Sequence, residues 1–169
     1  MEAKPFVPVL LGTARDGRNS EKIAGFIVEQ LNEAGFESEL VDPKTHLAAP
    51  ITQRVGKELQ GENKWQQTMQ KANALFIVTP EYNHGYPGEL KLMLDMLFDE
   101  YKNKPVVLAG VSVGPWGGTR VVEHILPVLT ELGLKPLQKA LYFPNSANFE
   151  PNSHKENVQL ALSSLKSAM

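Results

Sequence analysis

Three short segments combine residue types that can hold or contact a ligand. The first, Gly12-Thr13-Ala14-Arg15-Asp16-Gly17-Arg18-Asn19-Ser20, offers hydroxyls, a guanidinium and backbone N–H groups just before a helical pattern, whose first turn carries the positive end of the helix dipole. That set suits a phosphate monoester, and a plain strand-to-helix loop with Ser20 as the cap is the simpler reading of the same residues. The Gly12 to Gly17 spacing imitates a P-loop. Arg18 and Asn19, however, stand where Lys and Ser or Thr must reach the terminal phosphates and the magnesium ion, so ATP or GTP hydrolysis is disfavoured.

The second segment is Thr79-Pro80-Glu81-Tyr82-Asn83-His84-Gly85-Tyr86-Pro87-Gly88, where two Pro, two Gly and two Tyr impose a rigid, exposed backbone directly after an apolar run. The third, Gly110-Val111-Ser112-Val113-Gly114-Pro115-Trp116-Gly117-Gly118, presents backbone with few side chains to obstruct a flat ring. It is not the GxGxxG dinucleotide fingerprint, which would also have to follow the first strand. A structural turn explains either loop taken singly. Trp116 fits packing within its turn better than a place in a ligand pocket, and His84 fits contact with a ligand's edge and a solvent-exposed loop position equally well.

The elements that must position these segments follow from hydrophobic period. Five β-type runs alternate with helical patterns, the mark of a parallel sheet covered by helices on both faces. The spacing predicts strands at Phe6 to Leu11, Phe36 to Val41, Ala74 to Thr79, Pro105 to Val111 and, more weakly, Lys135 to Phe143. It predicts helices from Glu21 to Ala34, Asn63 to Ala72, Pro87 to Tyr101, Thr119 to Leu132 with a bend near Pro127, and Asn152 to Ala168. Asp42 to Gly61 is polar and reads as a long surface loop. In an open parallel sheet the ligand crevice lies beyond the carboxyl ends of the strands, so the three segments, which follow strands one, three and four, converge on it. The helix from Pro87 carries Leu90, Leu92, Met93, Leu94, Met96, Leu97 and Phe98, an arc too wide for one sheet; this predicts a second apolar neighbour and hence a homodimer or tetramer.

Composition bounds the function. The chain has 169 residues, 17 basic against 19 acidic side chains and a formal net charge of −2. A chain of this length can bury roughly 70% of its unfolded surface in one core, so one domain over residues 1–169 is expected. Balanced charge without long like-charge blocks lacks the electrostatic footprint of a nucleic-acid binder. The chain contains no Cys, so redox chemistry requires a bound cofactor. His46, His124 and His154 have no partners at metal-ligand spacing, and no metal is expected. Neither a signal sequence nor a membrane span is legible, and a cytoplasmic protein with no membrane or nucleic-acid partner is expected.

With these motifs in this order, the sequence resembles the NADPH-dependent FMN reductase family, flavodoxin-like enzymes that include quinone, azo-dye and chromate reductases. The resemblance covers most of the chain. It rests on Thr79-Pro80-Glu81-Tyr82-Asn83 followed by Pro87-Gly88-x-Leu90-Lys91 and Asp95, on Gly12-Thr13-x-Arg15, and on Ser112-x-Gly114-x-x-Gly117-Gly118. Thr13 departs from the Ser of many relatives but keeps the hydroxyl. The resemblance implies an α/β, flavodoxin-like three-layer sandwich with a five-stranded parallel sheet of order 2-1-3-4-5 and helices on both faces. It implies FMN as cofactor, NADPH or NADH as co-substrate and a small-molecule electron acceptor. By it, Thr13, Arg15, Asn19 and Ser20 would hold the FMN phosphate, Pro80, Glu81, Tyr82, Asn83 and His84 would line the isoalloxazine, and Ser112, Gly114 and Gly117 would flank its pyrimidine end. No residue is expected to transfer a proton. A flavodoxin-type carrier would use the same cofactor and fold, but a charge of −2 offers little steering toward basic redox partners; a flavin-responsive regulatory protein is a further alternative.

Overall fold

The computed structural model describes residues 3–47 and 63–169. The described strands form one parallel sheet: β1 (Val9–Leu11) lies between β2 (Leu40–Val41) and β3 (Leu75–Pro80), and β4 (Pro105–Val111) pairs with β3 on one side and with β5 (Lys135–Pro136) and β6 (Leu141–Phe143) on the other. The order is β2-β1-β3-β4-β5. Alternation along the strands sorts their side chains between two cores. Val9, Leu11, Phe76, Val78, Val107 and Ala109 pack with α1 (Ser20–Glu33) and α6 (Lys155–Ala168). Leu10, Leu75, Ile77, Val106 and Leu108 pack with α3 (Lys64–Lys71), α4 (Gly88–Asp95) and α5 (Thr119–Glu131). None of the described helices is long and apolar enough to cross a membrane.

Several boundaries differ from the sequence expectation, each for a local reason. β1 begins at Val9 rather than Phe6. The Pro8 carbonyl accepts the Phe76 N–H at 3.0 Å, but Pro8 has no N–H to return, so the ladder toward β3 is interrupted there. The predicted strand Lys135 to Phe143 divides into β5 and β6, because residues 136 to 141 span the interval that Val106 to Ala109 spans on β4, and the surplus cannot stay in register. α1 begins at Ser20 with Asn19 as its cap residue, and neither side chain caps it. Within the expected loop from Asp42, α2 (Pro43–His46) is a single turn whose cap, Asp42, accepts the Lys44 N–H at 2.9 Å; residues 48 to 61 of that loop lie outside the described residues. α5 runs on through Pro127. In α6 Val158, Leu162 and Leu165 are buried, whereas Leu160, expected on the same face, is exposed.

The largest departure is the helix expected from Pro87 to Tyr101, which ends at Asp95. In a continuing helix the Met93 carbonyl would accept from the Leu97 N–H. It is taken instead by the Trp65 indole at 3.0 Å and the Tyr101 hydroxyl at 3.2 Å, which are themselves 2.9 Å apart. Leu97 N–H turns to Leu94 at 3.5 Å, and a 3₁₀ turn follows at Asp99–Tyr101. The break swings Met96 and Leu97 inward, so that Leu90, Met93, Leu94, Met96 and Leu97 are all buried within one chain. Only half-buried Leu92 and Phe98, 36% exposed, remain on the arc. The width of the arc therefore does not by itself call for a partner subunit.

Candidate functional site

At the carboxyl ends of β1, β3 and β4 the loops enclose a cavity of about 480 Å³, within the range of small-ligand sites. Its lining includes Arg15, Asn19, Ser20, Pro80, Glu81, Tyr82, Ser112 and Gly114 from the sequence prediction, joined by Asp16, Gly17, Arg18, Val111, Val113 and Ser146. Thr13, Asn83, His84 and Gly117 do not line it. The reading from sequence passed over Ser146, which carries no motif. Its N–H donates to the Ser112 carbonyl at 3.0 Å and its hydroxyl lies 3.4 Å from the Asn19 amide, so it ties the loop after β6 to both neighbours.

The first loop owes its shape to Arg18. This side chain is only 4% exposed. It donates to the Thr13 carbonyl at 2.8 Å and to both carboxylate oxygens of Asp42, and lies 3.3 Å from Glu21. Burial opposes the Arg18 charge, but the Asp42 hydrogen bonds outweigh it and raise its pKa. Burial likewise pushes Asp42 up, and the Arg18 and Lys44 hydrogen bonds override it to hold that carboxyl below its usual range. Arg18 is thus a neutralised brace inside the loop rather than a free cation. Thr13 is also structural: fully buried, its hydroxyl accepts the Arg15 N–H at 3.2 Å and lies 3.4 Å from the Tyr82 hydroxyl. Arg15 is exposed, with its guanidinium 5.9 Å above the Tyr82 ring.

So shaped, the loop holds unsatisfied donors. The backbone N–H groups of residues 16 to 20 donate to no protein atom among the described residues. The Ser20 hydroxyl is buried without a hydrogen-bond partner among the described residues. A buried orphan hydroxyl beside a row of free N–H groups at a helix start fits a multiply charged oxyanion such as a phosphate monoester.

The loop after β3 forms a two-residue turn in which Tyr82 and Gly85 exchange N–H···O bonds of 3.0 and 2.9 Å, with Asn83 and His84 at φ 50° and 65°. Their own N–H groups have no protein acceptor among the described residues. Across the cavity, the Ser112 hydroxyl donates to the Gly114 carbonyl and accepts the Gly117 N–H, both at 2.9 Å. Gly110 lies so close to this turn that a Cβ there would stand 2.6 Å from the Gly117 and Gly118 carbonyl oxygens. The turn is therefore rigid, and it leaves the Val113 and Gly114 N–H groups without a protein acceptor among the described residues. Trp116 stands on it 75% exposed, which corrects the packing expectation for this residue. Val113 is 68% exposed beside it. Among the described residues no three His, Asp or Glu side chains cluster as metal ligands.

Comparison with known proteins agrees with this geometry. Residues 6–148 match the model of a family described as NADPH-dependent FMN reductase. The chain is 29% identical over 156 residues to an NAD(P)H-dependent FMN reductase of Schizosaccharomyces pombe, covering 85% of this chain and 76% of that protein. It is 30% identical over 149 residues to the quinone reductase of Escherichia coli K12, covering 82% and 77%. Among solved structures, the flavoenzyme NAD(P)H:(acceptor) oxidoreductase FerB from Paracoccus denitrificans is similar in fold, with TM-score 0.75 at 18% identity over 95% of this chain and 94% of that one.

Proposed function

The chain belongs to the NADPH-dependent FMN reductase family, and on that premise we propose that its cavity holds FMN and that the enzyme passes electrons from NADPH or NADH to quinones or similar acceptors, with FMN, azo dyes and chromate as further candidates. The observation that carries this reading is the cluster of donors at the start of α1 that have no protein acceptor among the described residues. The Ser20 hydroxyl and the N–H groups of residues 16 to 20 receive the FMN phosphate, with the Asn19 amide and the Arg15 guanidinium at its rim. Thr13 and Arg18 set the loop that presents them.

Bound FMN supplies the hydride-accepting ring and stores two electrons between substrates. The chain's own work is orientation. Pro80, Glu81 and Tyr82 would wall one side of the ring site, and Ser112 and Gly114, braced by Gly117, the other. The N–H groups of Val113 and Gly114, without a protein acceptor among the described residues, would offer preorganised donors to a ring held there. No side-chain acid or base is required. Exposed Val113 at the cavity and exposed Trp116 on the same turn support an assembly in which a second copy shelters this rim, a homodimer or tetramer. A cytoplasmic location accompanies the use of reduced nicotinamide.

One open face must serve donor and acceptor in turn, so steady-state kinetics should be ping-pong. Parallel double-reciprocal lines for NADPH against a benzoquinone are expected. Intersecting lines would contradict the shared site.

A further inference from the structure

We propose that Glu81 is a positioning residue rather than a flavin ligand: by capping α5 from the β3 loop, its carboxylate locks together the two loops that border the ring side of the cavity. The proposal rests on the FMN reading above. α5 starts behind Gly117 and Gly118, at φ 63° and 79°, and Gly118, its cap residue, has no side chain to offer. Nor could that position acquire one, since a Cβ on Gly118 would lie 2.7 Å from the Val111 nitrogen. The first N–H groups of α5 therefore need an acceptor from elsewhere. Glu81 Oε2 supplies it, accepting from Arg120 N–H at 3.1 Å and from Val121 N–H at 3.3 Å. Its negative charge also stands at the positive end of the helix dipole.

The same residue is held from the other side. The Glu81 N–H donates to the Val111 carbonyl at 3.1 Å, continuing the β3–β4 pairing one step beyond Pro80 and Val111. Glu81 thus grips the exit of β4 with its backbone and the entry of α5 with its carboxylate, and Ser112 to Gly118 is the loop between those two grips. A parallel strap joins the Arg120 guanidinium to His84 Nε2. One oxygen of Glu81 is committed to two helix N–H groups, and the residue's influence on the ring site passes through the two loops that it fastens.

The test combines hydrogen exchange on the flavin-free protein with FMN titration by fluorescence quenching, in wild type, Glu81→Gln and Glu81→Ala. The Gln amide oxygen still accepts both bonds, so exchange at Arg120 and Val121 and the FMN Kd should each stay within about threefold of wild type. In Glu81→Ala both amides should exchange about five- to tenfold faster and FMN should bind about five- to tenfold more weakly, the scale of a lost helix cap. Unchanged exchange or unchanged affinity in Glu81→Ala would overturn the proposal. So would a Gln variant that loses as much affinity as Ala while its amides stay protected, since that marks direct contact between the charge and the flavin. Wild-type protein that binds no FMN while Arg120 and Val121 remain protected would instead sink the functional reading, so the two failures are separable.

Discussion

Replacing Arg18 by Met should destabilise the flavin-free protein by about 3 kcal/mol and weaken FMN binding as well. Met preserves much of the buried stem and removes the charge. What is lost is the guanidinium's pairing with both oxygens of Asp42 and its bond to the Thr13 carbonyl, all from a side chain 4% exposed. Removing one partner of a buried ion pair costs about 3 to 5 kcal/mol because the other charge is stranded. Asp42 is 24% exposed, so water can recover part of its solvation, and the lower end of that range applies. For a chain of this size a loss of about 3 kcal/mol lowers Tm by about 6 to 12 °C. Urea unfolding of wild type, Arg18→Met, Asp42→Asn and the double variant gives the pair's coupling directly. The acid limb should change too. The native Asp42 carboxyl is held below its ordinary value, so its contribution is complete above about pH 4 and is lost as pH falls through the native pKa. Arg18→Met should flatten that limb. A loss below about 1 kcal/mol, or single-variant effects that simply add, would refute Arg18 as the brace of the loop.

Arg15→Ala should weaken FMN binding by about 1.5 to 3 kcal/mol in a fluorescence titration, the scale of a charge-assisted phosphate bond. Its side chain is exposed and lies over Tyr82, so urea unfolding of the flavin-free protein should hardly change. Ser20→Ala should separate stability from binding: about fivefold weaker FMN binding from one lost hydrogen bond, with the flavin-free protein equal or higher in Tm because a buried unpartnered hydroxyl is gone. His154 packs tilted against Phe143 and stacks on Phe149, with ring centres 4.7 and 5.6 Å away, and burial lowers its pKa. The native state therefore favours neutral imidazole, and Tm should fall as pH drops below about 6.5. In His154→Phe that fall should shrink, as a melting series from pH 8 to 5 would register.

Which features were legible in the sequence follows from how local their causes are. Gly35 and Gly133, at φ 91° and 78°, stop helices where the chain said they would, and the alternating strands sort onto two faces without further information. The three loops converge because parallel strands deliver their ends to one side of a sheet. The end of α4 was not legible, since it depends on Trp65 and Tyr101 meeting at the Met93 carbonyl from positions 28 residues before it and 8 after it. Arg18 looked like a failed P-loop position because its partner, Asp42, stands 24 residues away on the far side of β2. Ser146 enters the cavity from a loop with no pattern of its own. Glu81 stood in the right motif, but its bonds to the first N–H groups of α5 were not legible, because a helix without a capping side chain of its own is visible only once Gly118 is placed.

The central claim is that the cavity holds FMN and that reduced nicotinamide reduces it there. Anaerobic titration of the FMN-loaded protein with NADPH, followed by absorbance, tests it most directly. One equivalent should bleach the oxidised flavin band, and adding a benzoquinone should restore it. Protein that takes up no FMN, or a bound flavin band that NADPH leaves unchanged while dithionite removes it, would contradict the account.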